Sequence, residues 1–329
     1  MTERRSLPRN DGFLSAFYAL ASAEDAERCS AACVIVMHLS AEQRSFERTA
    51  VAAPAANSDA FTKAGACREL VYAIKRLLRG LLSSRGCARQ GFATAFSRVI
   101  SHEALRESTP LPSLIALLDE TTACPGGLKG QEAREKLFGR IFGYAALLSS
   151  GRLYAPDASA ADVAVEGKLV RELLLLGMQK PYLREVCAQA VASLIWAAPS
   201  VDVLRTRLLP SLRAQWEGEC NIWTAEQLGL AFHLAHFLAL RGDGDDAASL
   251  PEWVARVVAL TAPTRSNAEQ WSASLVDSAR AFPRVHSVWG ILAASPDALA
   301  ASFAAGRSAA SLIDDADVFG TAPSRAIEV

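Results

Sequence analysis

The sequence has few aromatic residues. Phe, Trp and Tyr make up 7% of its 329 residues, although 51% are hydrophobic, and Ala and Leu dominate the apolar set. That balance favours helices, because Ala and Leu lose little entropy there while β-branched and aromatic residues suit pleated surfaces. Sustained period-2 alternation is missing, as are hairpin turns of the Asn-Gly type, which argues against a sandwich or barrel. No apolar run approaches the roughly 20 residues that a bilayer-spanning helix needs, so no membrane partner is expected. The opening MTERRSLPRN is charged, with no apolar stretch behind it, unlike a secretory signal. An excess of one charge is also missing: the formal net charge is −1, which points to no partner class. The seven cysteines are scattered without a C-x-x-C pair and read as reduced thiols of a cytosolic or nuclear protein.

The usual catalytic patterns are absent too. There is no phosphate-cradling G-x-x-x-x-G-K-[ST] or G-x-G-x-x-G loop, no G-x-S-x-G elbow and no H-E-x-x-H. His233 and His236 are spaced i, i+3 in the apolar run LGLAFHLAHFLAL, with no carboxylate or thiol at ligand spacing, and read as core or helix-face histidines. Cys29 and Cys33, one turn apart, read as a buried pair of small apolar residues. Asp243, Asp245 and Asp246 suggest calcium, but a twelve-residue EF-hand loop starting at Asp243 puts Ala248 where Gly is required and Val254 where Glu belongs. As paired polymerase carboxylates they lie in a Gly-rich loop rather than on rigid elements. A solvated turn is the simpler reading. No metal, cofactor or small-molecule substrate is expected.

What the sequence does contain is helical periodicity. Leu70, Val71, Ile74, Leu77, Leu78, Leu81 and Leu82 form one amphipathic stripe, and Ala88, Gly91, Phe92, Ala95, Phe96, Val99 and Ile100 form the next. The break at Ser83-Ser84 is short enough to make them an antiparallel hairpin. Further stripes span 137–148, ending at Gly151 as a left-handed cap, then 169–176, ending at Gly177, and 183–195. Thr224 with Gln227 and Ser266 with Glu269 have capping-box spacing. Prolines at 181, 199, 251, 283 and 296 fall near helix ends. Segments 50–58, 120–130 and 241–249 read as loops. Helix pairs recurring about every 40 residues match the size of a HEAT or armadillo unit. The expected fold is therefore all-α, a HEAT/armadillo-like helical-repeat solenoid of antiparallel helix pairs, in a single array over 1–329 with 306–329 irregular.

Charge is distributed less evenly than its total implies. Between Phe61 and Ile100 eight basic residues face a single acid, Glu69. On a helical wheel Arg68, Lys75 and Arg79 lie within about 40° of one another, with Arg76 alongside, opposite the Leu stripe. Arg85 and Arg89 carry the charge onto the next helix. These six are the candidate site, suited to nucleic-acid phosphates or an acidic protein segment. The competing reading is a solvated polar face.

The run from Tyr72 to Phe92 (YAIKRLLRGLLSSRGCARQGF) resembles the signature Y-x-L-K-R-L-x-R-G-L-x-S-S-R-x-x-A-R-x-G-F of the Myb-binding protein, or DNA polymerase phi, family, with Ile74 for Leu. Further stretches agree in order: Gly139–Gly143 with 147–153, Lys180–Glu185, Ile222–Leu230, Pro283–Trp289 and the tail from Ile313 to Arg325. The resemblance implies a nucleolar, non-catalytic scaffold serving ribosomal RNA transcription and ribosome biogenesis. Its implied partners are ribosome-assembly proteins, transcription regulators, rDNA or pre-rRNA. Family members are longer, with further repeats, an acidic region and a basic tail, so the chain is read as an N-terminal portion. Two alternatives stay open: a DNA-directed DNA polymerase, as the family label says, and an adaptor for transcription factors or transport partners.

Overall fold

A computed structural model describes residues 11–49, 59–156, 158–216, 224–241, 250–261 and 273. Among the described residues the chain is helix, turn and loop, with no strand. The first helices are α1 (Asp11–Ala19), α2 (Asp25–Thr49), α3 (Ala60–Lys63), α4 (Arg68–Gly80), α5 (Gly86–Ser101), α6 (Glu103–Arg106), α7 (Leu111–Thr121) and α8 (Gly130–Ser149). They are followed by α9 (Ala160–Gln179), α10 (Arg184–Ala197), α11 (Val201–Val203), α12 (Leu209–Leu212), α13 (Ala225–Arg241) and α14 (Glu252–Leu260). A π-helical turn occupies Leu204–Leu208. The chain packs as two compact units, Met1–Val165 and Glu166–Val329.

In the first unit the Leu stripe forms the core of α4: Leu70, Ile74, Leu77, Leu78 and the following Leu81 are each 0% exposed. Burying each such side chain contributes about 1.5–3 kcal/mol. Five residues separate α4 from α5, and the two helices pack on each other as the expected hairpin. Helix α5 is the hub, touching α2, α4 and α8 through Ala88, Ala95, Phe96, Val99 and Ile100.

The long helix α2 has no clean stripe because its buried face mixes Ala31, Ala32, Ile35 and Leu39 with Arg28, Ser40 and Gln43. Gln43 is fully buried. Its amide donates to the Gly65 carbonyl at 2.8 Å and to Ser108 Oγ at 3.0 Å, and its Oε1 accepts from the Cys67 N–H at 2.8 Å. The side chain thus satisfies the backbone just ahead of α4, a polar group buried without penalty because it is fully paired.

Two of the three expected helix caps that fall among the described residues form, at Gly151 and at Thr224–Gln227. Gly151 sits at φ +66° just past α8, a backbone region that L side chains rarely adopt, so glycine is required there. Thr224 and Gln227 form a reciprocal box: the Thr224 N–H donates to Gln227 Oε1 at 2.9 Å and the Gln227 N–H to Thr224 Oγ1 at 3.3 Å. The exception is Gly177, expected to end its helix. Helix α9 continues through it to Gln179, and a Cβ there would meet the Cys187 Cβ of α10 at 3.3 Å. Gly177 marks a close helix crossing rather than a cap.

The second unit also holds an ion pair on the buried Glu166, in which the half-buried Arg207 donates from Nε to Glu166 Oε2 at 2.8 Å. The Ser266–Glu269 box, the segments 50–58 and 242–249, Pro283, Pro296, the stretches Pro283–Trp289 and Ile313–Arg325, and the end 306–329 lie outside the described residues.

Candidate functional site

The six basic residues divide by environment. Arg68, the first residue of α4, and Arg79, in its last turn, are exposed and have no ion-pair partner among the described residues. Lys75 lies between them and donates from Nζ to Asp59 Oδ2 at 3.0 Å. Asp59 caps α3 by accepting from the Thr62 N–H at 2.9 Å. Partial burial works to raise its pKa, but the Thr62 N–H and Lys75 outweigh burial and hold the carboxyl below its ordinary value. Lys75 and Arg79 line a groove of about 860 Å³ whose other walls include Asp59, Phe61, Leu82, Pro112, Glu120 and Lys136. Lys136 reaches it from α8 and donates to the Thr121 carbonyl at 2.8 Å. The groove therefore has an apolar floor and a rim of both signs.

The other three are held by the protein itself. The Arg76 guanidinium lies over Phe17 at 4.4 Å from the ring centre, with Tyr18 at 5.4 Å and Tyr72 at 5.8 Å, and it donates to Tyr72 Oη at 2.6 Å. Arg85 donates to the Ala21 carbonyl. Arg89 donates to the Ser83 carbonyl at 2.6 Å and lies over Phe138 at 5.0 Å; burial lowers its pKa. Such contacts order the α1, α4, α5 and α8 surfaces, with cation–π stacking contributing about 0.5–1 kcal/mol each.

Tyr72, Arg76, Arg85 and Gly91 of the Tyr72–Phe92 signature share a structural role, which is to seat α1 and the turn after it. Tyr72 and Arg76 receive Phe17, and Arg85 receives the Ala21 carbonyl. At Gly91 a Cβ would lie 1.9 Å from the Leu20 carbonyl oxygen, so only glycine lets that backbone approach α5. The buried Arg28 completes the seat, donating to the Ser22 and Ala23 carbonyls at 2.8 Å each. Gly80 leaves room for the Phe92 ring within the hairpin.

The second motif behaves alike. Gly139 and Gly143 admit Leu82 and Leu118, and Arg140 Nε donates to Thr122 Oγ1 at 3.1 Å. In the S-S-G-R-L stretch the buried Arg152 donates to the Thr109 carbonyl at 2.6 Å and to the Arg106 carbonyl at 3.3 Å, closing the loop after α6. Burial, with Arg106 nearby, lowers its pKa to about 10. In the K-P-Y-L-R-E stretch Arg184 pairs with Glu226 at 2.7 Å.

The histidine pair is packed on Trp196, as a core reading requires. Trp196 Nε1 donates to His233 Nδ1 at 2.9 Å, and the His236 ring meets Trp196 edge-on at 5.1 Å. An accepting Nδ1 belongs to a neutral ring, and burial, with His236 beside it, lowers the His233 pKa to about 4. No cluster of three or more His, Cys, Asp or Glu suited to a metal occurs among the described residues. The cysteine expectation is corrected. Cys29 and Cys33 are both exposed, because the buried side of α2 runs through Arg28, Ala31, Ala32 and Ile35. Asp243, Asp245 and Asp246 lie outside the described residues.

The architecture and surface define an all-helical protein whose characteristic residues build the packing of its first helices and leave a basic face on α4. The chain belongs to the DNA polymerase phi family, whose model matches residues 72–306. It is 31% identical over 134 residues to the rDNA transcriptional regulator pol5 of Schizosaccharomyces pombe, and 26% identical over 135 residues to the rDNA transcriptional regulator POL5 of Saccharomyces cerevisiae. These alignments take in 41% and 36% of this chain and 13% of either relative, so the chain spans a small part of the curated relatives it matches. No solved structure matches it.

Tyr18, Asp59 and Lys136 were missed by sequence reasoning. They come from α1, the edge of α3 and α8, and no local spacing relates them to α4. The exposed aromatic positions beside Arg76 carried the only available signal: Tyr72 stands four residues before it, at helical contact distance.

Proposed function

We propose that this chain is a non-catalytic helical-repeat scaffold that acts in the nucleus, in the nucleolus, on rDNA transcription and ribosome biogenesis. The observation that carries the reading is family membership together with two relatives that are both named rDNA transcriptional regulators. A HEAT/armadillo-like stacking of helix pairs within each unit suits this role, since such pairs bury one face on their neighbours and offer the other to partners. The partners are ribosome-assembly proteins, transcription regulators and rDNA- or pre-rRNA-associated complexes.

The contact surface is the basic face of α4, with Arg68, Lys75 and Arg79 outward. Arg76 and Arg89, half-buried, and the exposed Arg85, tied to the Ala21 carbonyl, support it, so the six candidates divide into a contacting and a supporting set. The test is chromatin immunoprecipitation of the tagged chain in its own cells, with pulse-labelling of pre-rRNA after its depletion. Enrichment over rDNA and a fall in new pre-rRNA are expected. Occupancy no higher over rDNA than over other genes would overturn the reading. Primer extension by the purified chain with Mg²⁺ tests the polymerase alternative, and no extension is expected.

A further inference from the structure

We infer that the basic face of α4 binds single-stranded RNA, with Tyr18 and Tyr72 as stacking platforms and Arg68 and Arg79 on the phosphates. The inference rests on the rDNA reading above and names the partner class of the same face. Two of the most exposed aromatic side chains of the first unit stand here: Tyr18 is 75% exposed and Tyr72 45%. Here two exposed rings cluster on one arginine instead of being scattered singly. Both ring centres lie within 6 Å of the Arg76 guanidinium carbon, so they are at most about 11 Å apart. Arg76 is itself anchored on the buried Phe17 and bonded to Tyr72 Oη.

Along α4, Arg68 stands one turn before Tyr72 and Arg79 about two turns after it, and neither has an ion-pair partner among the described residues. Lys75 is partly neutralised by Asp59, so the uncompensated charge lies with the two arginines. Exposed aromatics interleaved with unpaired arginines are the combination that binds single strands, because every base offers a π-face and every linkage a phosphate. A duplex hides its bases and can use only the arginines. At an rDNA-bound protein the strand with exposed bases is the transcript, whereas the template is largely duplex, and this favours RNA.

The experiment uses the whole chain and a fluorescein-labelled single-stranded RNA of about 12 nucleotides, a length within the range of single-strand sites. Its duplex, the matching single-stranded DNA and a glutamate-rich peptide serve as the other arms, all read by anisotropy. The single strand is expected to bind at least about tenfold more tightly than the duplex. Tyr18→Ala should weaken it about tenfold, the range for losing one base stack, and leave duplex binding unchanged. Tyr18→Phe should bind as the unmodified chain does, since stacking needs the ring and not the hydroxyl. Tyr72→Ala should act similarly, and because Tyr18 is so exposed, Tyr18→Ala keeps the test valid if Tyr72→Ala disturbs the fold. Arg68→Glu with Arg79→Glu should weaken RNA and duplex alike and flatten the salt dependence.

Equal binding by Tyr18→Ala and the unmodified chain would overturn the inference. So would preference for duplex or for single-stranded DNA, or binding of the acidic peptide alone. The two readings fail separately: rDNA occupancy that persists without any RNA binding removes the RNA inference only, whereas absence from rDNA removes the broader function.

Discussion

Gly91→Ala adds a single methyl group at the point where the first two helices join the hairpin. Its Cβ would stand 1.9 Å from the Leu20 carbonyl oxygen and 2.9 Å from Arg28 Cδ. The first obstacle is backbone and cannot swing aside, so the turn after α1 must move. That movement also disturbs the carbonyls of Ala21, Ser22 and Ala23, which Arg85 and Arg28 hold. Overpacking of this kind costs about 3 kcal/mol, the upper end of its usual range, because the blocking atom is main chain. Alanine in place of glycine inside a helix returns about 1 kcal/mol. The net loss is about 2 kcal/mol, which lowers the melting temperature by roughly 4–8 °C for a unit of this size. Gly86→Ala is the control: it lies in the same helix, and the nearest atom to its Cβ is the end of the Arg89 side chain at 3.9 Å. Thermal unfolding followed by circular dichroism should separate the two, with Gly86→Ala unchanged or slightly stabilised. Equal melting of both variants would refute the idea that the signature glycine seats the α1 turn.

Three further expectations follow from the same contacts. Arg89→Ala should destabilise the chain by about 1–3 kcal/mol, since it leaves the Ser83 carbonyl without its donor and removes one of the two guanidinium groups over Phe138, whereas the exposed Arg79→Ala should stay within about 0.5 kcal/mol; urea unfolding of both checks this. Arg152→Met should cost about 1–3 kcal/mol by leaving the Thr109 carbonyl without its guanidinium donor, and Arg152→Lys should recover only part of it, because a single ammonium cannot reproduce the guanidinium fork. Unfolding of the second unit should depend on pH through His233: its folded pKa of about 4 lies below the unfolded value near 6.5, so the unfolded chain takes up the proton first. Stability is then fully present above about pH 6.5 and falls as the pH drops toward 4, and a pH series of melting temperatures that is as steep in His233→Gln as in the unmodified chain would count against that assignment.

The apolar stripes of α4 and α5, the short link between them, the cap at Gly151 and the Thr224–Gln227 box were all legible, because each depends on residues within one or two turns of one another. Helix α2 was not legible. Its buried face includes Gln43, whose partners lie at Gly65, Cys67 and Ser108, and Arg28, which reaches Gln90 as well as the local Ser22 and Ala23 carbonyls, so buried polar groups break the periodic signal. The cysteine pair was misread for a related reason: spacing places Cys29 and Cys33 on one face of α2 but does not say which face is buried.

The sequence by itself determined that the chain is helical, where most of the strong helices lie, which family it belongs to, and that positive charge collects around α4. Those properties depend on composition, on local periodicity and on the identity of a contiguous run. Only the tertiary structure decided which charges remain available. Arg76, Arg85 and Arg89 carry the same unit charge as Arg68 and Arg79, yet aromatic rings and carbonyls from α1, the hairpin turn and α8 engage the first three. A guanidinium's role is set by the acceptors and rings around it, and those come from residues distant along the chain.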